Sequence, residues 1–198
     1  MNENNRVQTF IEKASLVSAR VVQVESLVAA FDQAIDICRS KPPLDPQIDP
    51  LGSVQENRRI LAAPNLDDPA FEMLAQACQG EDGILLIREN VRAYPAGIDL
   101  GLTLVDRGIA ETGTIVLNSQ AEDTRLASML SEIHVAVLKK SDLRDSALDM
   151  VDELNTMMSQ DSAYTAFITG PSRTADIERV LTIGVHGPLE LVIMLVEE

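Results

Sequence analysis

Tryptophan is absent from this chain, and aromatic residues make up only 3% of its 198 positions. The core must therefore be built from valine, isoleucine, leucine, alanine and methionine, within an apolar fraction of 45%. A chain of this length and composition can bury a substantial core. We expect one domain over residues 1–198, with helices and a proline-rich loop over 1–50 and a motif-bearing α/β core over 51–198.

Basic residues are also scarce, since 16 lysines and arginines stand against 31 aspartates and glutamates, which gives a formal net charge of −15. Such a charge repels phosphate backbones and anionic membranes, so nucleic acid is not an expected partner. No apolar run approaches the roughly 20 residues of a membrane-spanning helix, and no signal-peptide core opens the sequence. The sequence therefore predicts a cytoplasmic protein without a membrane span.

Cysteine and histidine, the usual ligands of transition metals, occur only twice each. Cys38 and Cys78 lie in helix-like apolar patterns and are interpreted as small core residues. Two thiols cannot by themselves hold an iron–sulfur cluster. The sequence also lacks a glycine-rich phosphate-binding motif and a dinucleotide fingerprint. We therefore expect neither a metal nor a cofactor.

Apolar runs alternate with amphipathic segments along the chain. Helices are expected at 7–18, 26–38, 68–80, 125–130, 142–158 and 173–180. Strands are expected at 59–63, 83–87, 114–117, 134–138, 164–169 and 189–196. These strands are continuously apolar, which is typical of a sheet that helices cover on both faces. The predicted fold class is α/β, with a Rossmann-like, mostly parallel sheet and an N-terminal helical segment.

The most informative segment is the string G-P-S-R-T-A-D-I-E, which begins at Gly170 and follows the fifth predicted strand. Ser172 can cap the helix expected after it, and Asp176 in the first turns suits the helix dipole. Ser172, Arg173 and Thr174 place two hydroxyls and a guanidinium around free backbone N–H groups, which suits a carboxylate or phosphate. The alternative is an ordinary helix cap with a surface arginine.

A second string, G-V-H-G-P, places His186 between Gly184 and Gly187. The glycines allow the backbone to approach a ligand or another loop closely. His186 can act there as an acid, a base or a hydrogen-bond donor. Alternatively, it hydrogen-bonds the loop of Ser172 and holds it in place. The other histidine, His134, opens a predicted strand and is interpreted as structural.

A third string, E-T-G-T, runs from Glu111 through Thr112 and Gly113 to Thr114, just before a predicted strand. A carboxylate in a partly enclosed turn can be a nucleophile or a general base. Alternatively, Glu111 pins the turn by accepting hydrogen bonds from backbone N–H groups. We expect Thr112, Gly113 and Thr114 to take part in ligand binding.

Together these strings are similar to those of the lactate-utilization protein C family, the single-domain form of the LUD domain. The further matches are G-x-T from Gly101, D-x-G-I-A-E-T-G-T from Asp106, Arg125, and S-M-L-S-x-I-H ending at His134. Their order and spacing agree over about residues 95–196. The resemblance implies the fold of the sugar-phosphate isomerase and CoA-transferase group, with ligands at strand ends.

The resemblance also implies a part in the bacterial oxidation of L-lactate to pyruvate, beside iron–sulfur partner proteins. In the preferred hypothesis the subunit binds a small carboxylate or phosphate-like anion. Arg173 pairs with the anion, and Ser172 and Thr174 orient it. His186 moves a proton, and Glu111 lines the pocket.

Two alternatives stay open, as does the question whether the protein is an enzyme. One is a non-catalytic assembly or regulatory protein that docks an iron–sulfur partner; the other is a CoA- or acyl-transferase-like enzyme with Glu111 as nucleophile.

Overall fold

The computed structural model describes residues 1–44, 47–48, 54–55, 58–80, 83–94, 97–159, 164–174, 182–183 and 187–197. The helices are α1 (Glu3–Leu16), α2 (Leu27–Ser40), α3 (Asp68–Ala77), α4 (Glu122–Leu130) and α5 (Val151–Met158). Short 3-10 helices cover Val91–Ala93, Lys140–Asp142 and Ala147–Met150. The strands are β1 (Arg20–Val24), β2 (Gln47–Ile48), β3 (Val54–Gln55), β4 (Arg59–Ala62), β5 (Ile84–Ile87), β6 (Ile98–Leu104), β7 (Arg107–Ile109), β8 (Thr114–Asn118), β9 (Ser131–Lys139), β10 (Leu143–Arg144), β11 (Thr165–Ile168), β12 (Arg173–Thr174), β13 (Thr182–Ile183) and β14 (Glu190–Val196). None of these helices is long and apolar enough to cross a lipid bilayer.

A six-stranded sheet lies at the centre of the fold, in the order β1-β14-β9-β6-β4-β5. Every neighbouring pair of these strands is parallel. The register places His134 of β9 between Gly101 of β6 and Leu191 of β14. The predicted α/β class with a mostly parallel sheet is therefore confirmed.

Helices pack on both faces of this sheet. On one face, α2 and α3 pack against alternate strand residues that include Val135. On the other face, Phe10 of α1 packs against Leu138, and Ala127 of α4 packs against the β4 side of the sheet. Because successive strand residues point to opposite faces, His134 lies on the same face as Leu138. The side chain of His134 is thus directed toward the α1 and α4 side.

A smaller four-stranded sheet, in the order β10-β7-β8-β11, was not predicted from the sequence. β8 is antiparallel to both β7 and β11. Ala166 and Ile168 of β11 pack in the same cluster as Leu138 and Leu191 of the main sheet. The strand that precedes Gly170 therefore lies over the face that carries His134, rather than within the parallel sheet.

The helix predicted over 142–158 is wrong in its first half, because α5 begins only at Val151. Leu143 is fully buried and pairs with Gly108 of β7, so this part of the chain is extended. Ser146 then caps a 3-10 turn together with Asp149. Tertiary pairing at Leu143 overrides the helical pattern.

The helix predicted over 173–180 is wrong at its first two residues. Arg173 and Thr174 form β12, which pairs with β13; residues 175–180 lie outside the described part of the chain. Ser172 donates its backbone N–H to the carbonyl oxygen of Pro188 at 2.9 Å, which keeps this segment extended beside the second string. The free helix N-terminus expected after Ser172 is therefore not present at these residues.

The starts of the helices predicted at 26–38 and 68–80 and the core position of Cys38 are confirmed. Ser26 caps α2 by accepting a hydrogen bond from the N–H of Ala29 at 3.2 Å, and α3 begins with Pro69 in its first turn. Cys38 is fully buried, and burial raises the pKa of its thiol to about 12. A thiol held neutral in this way acts as a small core residue.

Candidate functional site

A cavity of about 280 Å³ lies between α4, β11 and the amino-terminal halves of β9 and β14. This volume lies just below the about 300–1,000 Å³ that is typical of ligand pockets. α4 contributes Arg125, Ser128 and Met129 to its wall, and β9 contributes His134. Residues of β11 and the residues that follow it, up to Ser172, form another part of the wall. The wall of the cavity therefore contains a cation, an imidazole and several hydroxyls as well as apolar side chains.

The first two strings identified in the sequence meet at this cavity. Gly170 and Ser172 line it from one side, and Gly187 lines it from the other. A Cβ on Gly187 would lie 3.0 Å from the Cβ of Ser172, so the two backbones approach closely. His186 and Asp176, the other candidate residues of these strings, lie outside the described residues.

Gly170 has a left-handed backbone conformation, which favours glycine. Its φ is +79°, and a Cβ there would lie 2.2 Å from the carbonyl oxygen of Val17. Arg173 is exposed and does not line the cavity, although its Nη2 lies 3.1 Å from that same Cβ position. Thr174 is the second residue of β12, and only its backbone is described. The predicted cation Arg173 is therefore next to the cavity wall rather than in it.

The third string lies behind the wall rather than in it. Glu111 is exposed, and its carboxylate accepts the N–H of Ala147 at 3.2 Å, as in the turn-pinning alternative. A chain of hydroxyls links Thr112 to Thr114 at 2.7 Å, and Thr114 to Thr169 at 2.8 Å. Thr169 lines the cavity, whereas none of residues 111–114 does. The geometry gives this string a supporting contact with the cavity wall.

Gly113 fixes the same turn against α1. Its φ is +65°, and a Cβ there would lie 2.2 Å from the backbone nitrogen of Ala14. An L side chain at this position would meet backbone atoms that cannot rotate away. The glycine of the E-T-G-T string is thus required for helix packing.

Arg125 is the charged group of the cavity wall. Its Nη1 donates to the carbonyl oxygens of Ser119 at 2.7 Å and Gln120 at 2.8 Å. Its guanidinium carbon lies 5.2 Å from the ring centroid of Tyr164, in the geometry of a cation–π contact. Two carbonyls and a ring therefore hold Arg125 in place. Because the bonds to described residues use only Nη1, Nη2 and Nε are available there for an anion.

His134 lines the cavity on the sheet side and is 1% exposed. Its Nε2 lies 2.8 Å from the hydroxyl oxygen of Thr103 on the neighbouring strand. Burial lowers the pKa of His134 to about 4, so the imidazole is neutral at pH 7. Sequence reasoning treated this histidine as structural. The one sequence signal for it was a histidine within an otherwise apolar run, beside the G-x-T string that supplies Thr103.

Acid should destabilise the protein through His134. In the unfolded chain a histidine titrates near its usual pKa of about 6.5, whereas in the folded protein its pKa is about 4. Below pH 6.5 His134 therefore binds a proton in the unfolded state but not in the folded state. Because of this difference, the free energy of unfolding falls as the pH falls. The loss should approach about 3 kcal/mol near pH 4.

Urea unfolding at pH 7, 6 and 5, followed by far-ultraviolet circular dichroism, measures this pH dependence. The difference between wild type and His134→Gln isolates it, because the two proteins share all other titrating groups. The variant should lose less stability between pH 6.5 and 5 than the wild type. Parallel pH curves would show that His134 is not protected from protonation.

A second cavity, of about 300 Å³, lies at the carboxyl ends of β6, β9 and β14. This is where a ligand is expected in an open α/β sheet. Its walls include Asp67, Lys139 and Asp142 but none of the predicted site residues. Asp67 already caps α3, and Asp142 forms an ion pair with Arg107 at 3.0 Å. The first cavity is therefore the stronger candidate.

Comparisons with known proteins agree with the fold. The LUD domain family model matches residues 7–196. The chain is 27% identical to YkgG of Escherichia coli over 100% of this chain and 82% of that protein. It is 29% identical to lactate utilization protein C 1 of Bacillus mycoides over 76% of this chain and 69% of that protein. A crystal structure of a DUF162 family protein from Deinococcus radiodurans superposes with a TM-score of 0.63, covering 99% of each chain at 16% identity.

Proposed function

The chain belongs to the LUD domain family, and we propose that it is a cytoplasmic subunit of a bacterial lactate-utilization system whose cavity binds a small carboxylate or related anion. Relatives named lactate utilization protein C support the role in lactate utilization. In this proposal the subunit works with iron–sulfur proteins, which supply the redox centres that two cysteines cannot.

The observation that carries carboxylate binding is the place of Arg125. A guanidinium lies in the wall of a small cavity, and its position is fixed by two carbonyls before any ligand arrives. Each charged hydrogen bond to a carboxylate contributes about 1.5–3 kcal/mol. Ser172 supplies a hydroxyl to the same space. In the proposed site Arg125 therefore takes the role that the sequence suggested for Arg173.

Calorimetric titration tests the proposal. Purified protein is titrated with L-lactate, pyruvate and inorganic phosphate at pH 7. Saturable binding of at least one of them, with one site per chain, is the expected result. Absence of binding for all three at millimolar concentration would reject carboxylate binding in this cavity. Glycerol, which has hydroxyl groups but no negative charge, serves as the control ligand and should not bind.

Apolar side chains around the cavity favour a second role, in docking a partner protein. Met129, Tyr164 and Phe167 line the cavity and are 49%, 50% and 51% exposed. Leu130 follows Met129 in sequence, Leu189 follows Pro188 of the cavity wall, and the two leucines are 47% and 43% exposed. A cluster of half-exposed apolar side chains is typical of a protein–protein contact. An iron–sulfur partner that covers this cluster would also close the cavity.

Phe167→Asp should abolish copurification with the iron–sulfur proteins of the lactate-utilization system, because it places a charge among these exposed apolar side chains. The measurement is affinity purification from cells that express all the components. Leu148→Asp is the matched control: Leu148 is 81% exposed and does not line the cavity. Equal recovery of the partners with both variants would exclude this surface as the docking site.

A further inference from the structure

The two ring nitrogens of His134 have different surroundings. Nε2 lies 2.8 Å from the hydroxyl oxygen of Thr103. Thr103 is completely buried, and within the described residues its hydroxyl bonds to His134 alone. Nδ1 makes no hydrogen bond in the same part of the chain. The proton of the neutral ring can be on either nitrogen, and the structure provides grounds to decide between them.

Thr103 determines the position of that proton. A buried hydroxyl proton without an acceptor costs about 1–3 kcal/mol. If Nε2 carried the ring proton, Nε2 would donate to Thr103 and the hydroxyl proton would have no acceptor among the described groups. If Nε2 is unprotonated, it accepts the Thr103 proton and both groups are satisfied. The ring proton is then on Nδ1.

The access of Nδ1 to the cavity follows from the absence of a partner atom among the described residues. Among the described residues, Ser131 Oγ is the one fully enclosed side-chain nitrogen or oxygen atom without a hydrogen-bond partner. Nδ1 also lacks a partner there, so it must remain accessible to solvent. The cavity is the space that His134 lines, and it provides this access. The donor on Nδ1 is therefore available to a ligand.

We propose that Thr103 is a positioning residue that holds His134 as the Nδ1–H tautomer, so that the cavity presents a fixed neutral donor to a ligand oxygen that only accepts. The ligand part of this inference rests on the proposed carboxylate-binding function. A fixed donor favours 2-oxo acids over 2-hydroxy acids. A keto oxygen needs only a donor, whereas the hydroxyl of a 2-hydroxy acid also needs an acceptor for its own proton. His134 is then not a base that removes a proton from a ligand hydroxyl.

Nitrogen-15 nuclear magnetic resonance tests the tautomer without any ligand. Long-range proton–nitrogen correlation spectra at pH 7 distinguish a protonated ring nitrogen from an unprotonated one. Only two histidines are present, so the spectrum of His186→Gln identifies the signals of His134 even if His134 variants fail to fold. A protonated Nδ1 in wild type and Thr103→Ser, with a mixture of tautomers in Thr103→Val, is expected. A protonated Nε2 in wild type would overturn the assignment.

The ligand preference is tested by calorimetry with pyruvate and L-lactate. We expect wild type and Thr103→Ser to bind pyruvate about tenfold more tightly than L-lactate. Thr103→Val should lose most of this preference for pyruvate. The same ratio of affinities in all three proteins would overturn the preference. If neither acid binds while Nδ1 is protonated, the proposed carboxylate binding and the preference both fail, and the tautomer assignment stands. Circular dichroism confirms that each variant is folded.

Discussion

Replacing Gly101 with alanine should lower the free energy of unfolding by about 3 kcal/mol and remove carboxylate binding. A Cβ on Gly101 would lie 2.1 Å from the carbonyl oxygen of Ala127 and 2.9 Å from its carbonyl carbon. These are backbone atoms of α4, so no side-chain rotation relieves the overlap. α4 must move away from β6, and α4 carries Arg125 and Ser128 of the cavity wall.

Gly80→Ala is the control for this substitution. Gly80 has a φ of +85°, but a Cβ there would meet nothing within 4 Å. Its replacement should cost only about 1–2 kcal/mol of backbone strain and leave ligand binding unchanged. Urea unfolding followed by circular dichroism measures both variants, since the chain has no tryptophan to report by fluorescence. If Gly101→Ala binds pyruvate as the wild type does, the position of α4 does not govern the site.

The same glycine helps to explain why β6 was not predicted from the sequence. Most parallel strands were predicted because burial on both faces makes them continuously apolar. β6 contains Asp99, Gly101 and Thr103, which break that pattern. Each has a tertiary reason: Asp99 accepts a hydrogen bond from the backbone N–H of Ile60 at 2.7 Å, Gly101 admits α4, and Thr103 holds His134. Local sequence does not reveal such contacts.

The wrong helix start at Arg173 has a related cause. Glycine, proline and serine in sequence are typical of a strand end and a helix cap, and the prediction used only those local signals. β12 instead pairs with β13, whose residues are Thr182 and Ile183. Pairing between distant residues decides this conformation. Local propensity is a weak guide where two loops pack against each other.

The candidate site was only partly predictable. Gly187 was identified because a glycine allows close backbone approach, Gly170 because it ends a predicted strand, and Ser172 because it supplies a hydroxyl there; all three line the cavity. Arg125 was identified only as a match to the family's motifs, and His134 was interpreted as structural. A histidine in an apolar strand has the same sequence pattern whether its side of the sheet is covered by other elements or lines a cavity. The opening depends on how α4 and β11 pack, and neither helix nor strand periodicity contains that information.

Arg125→Ala should weaken binding of the carboxylate by about 10- to 100-fold in calorimetric titration, because it removes about 1.5–3 kcal/mol of charged hydrogen bonding. Arg125→Lys should recover part of the affinity, since lysine keeps the charge but loses the planar fork that two carbonyls now orient. Stability should change little by comparison, because Arg125 is only half-buried. The variants therefore separate binding from folding.

Arg88→Ala is the matched control, because Arg88 has a similar setting away from the cavity. Its guanidinium carbon lies 5.0 Å from the ring centroid of Phe71, and its Nη2 donates to the carbonyl oxygen of Leu66 at 2.9 Å. Its loss should leave affinity unchanged. Arg173→Ala decides between the two cations, because Arg173 lies outside the cavity wall and should have a smaller effect than Arg125. A larger loss with Arg173→Ala would restore the assignment made from the sequence.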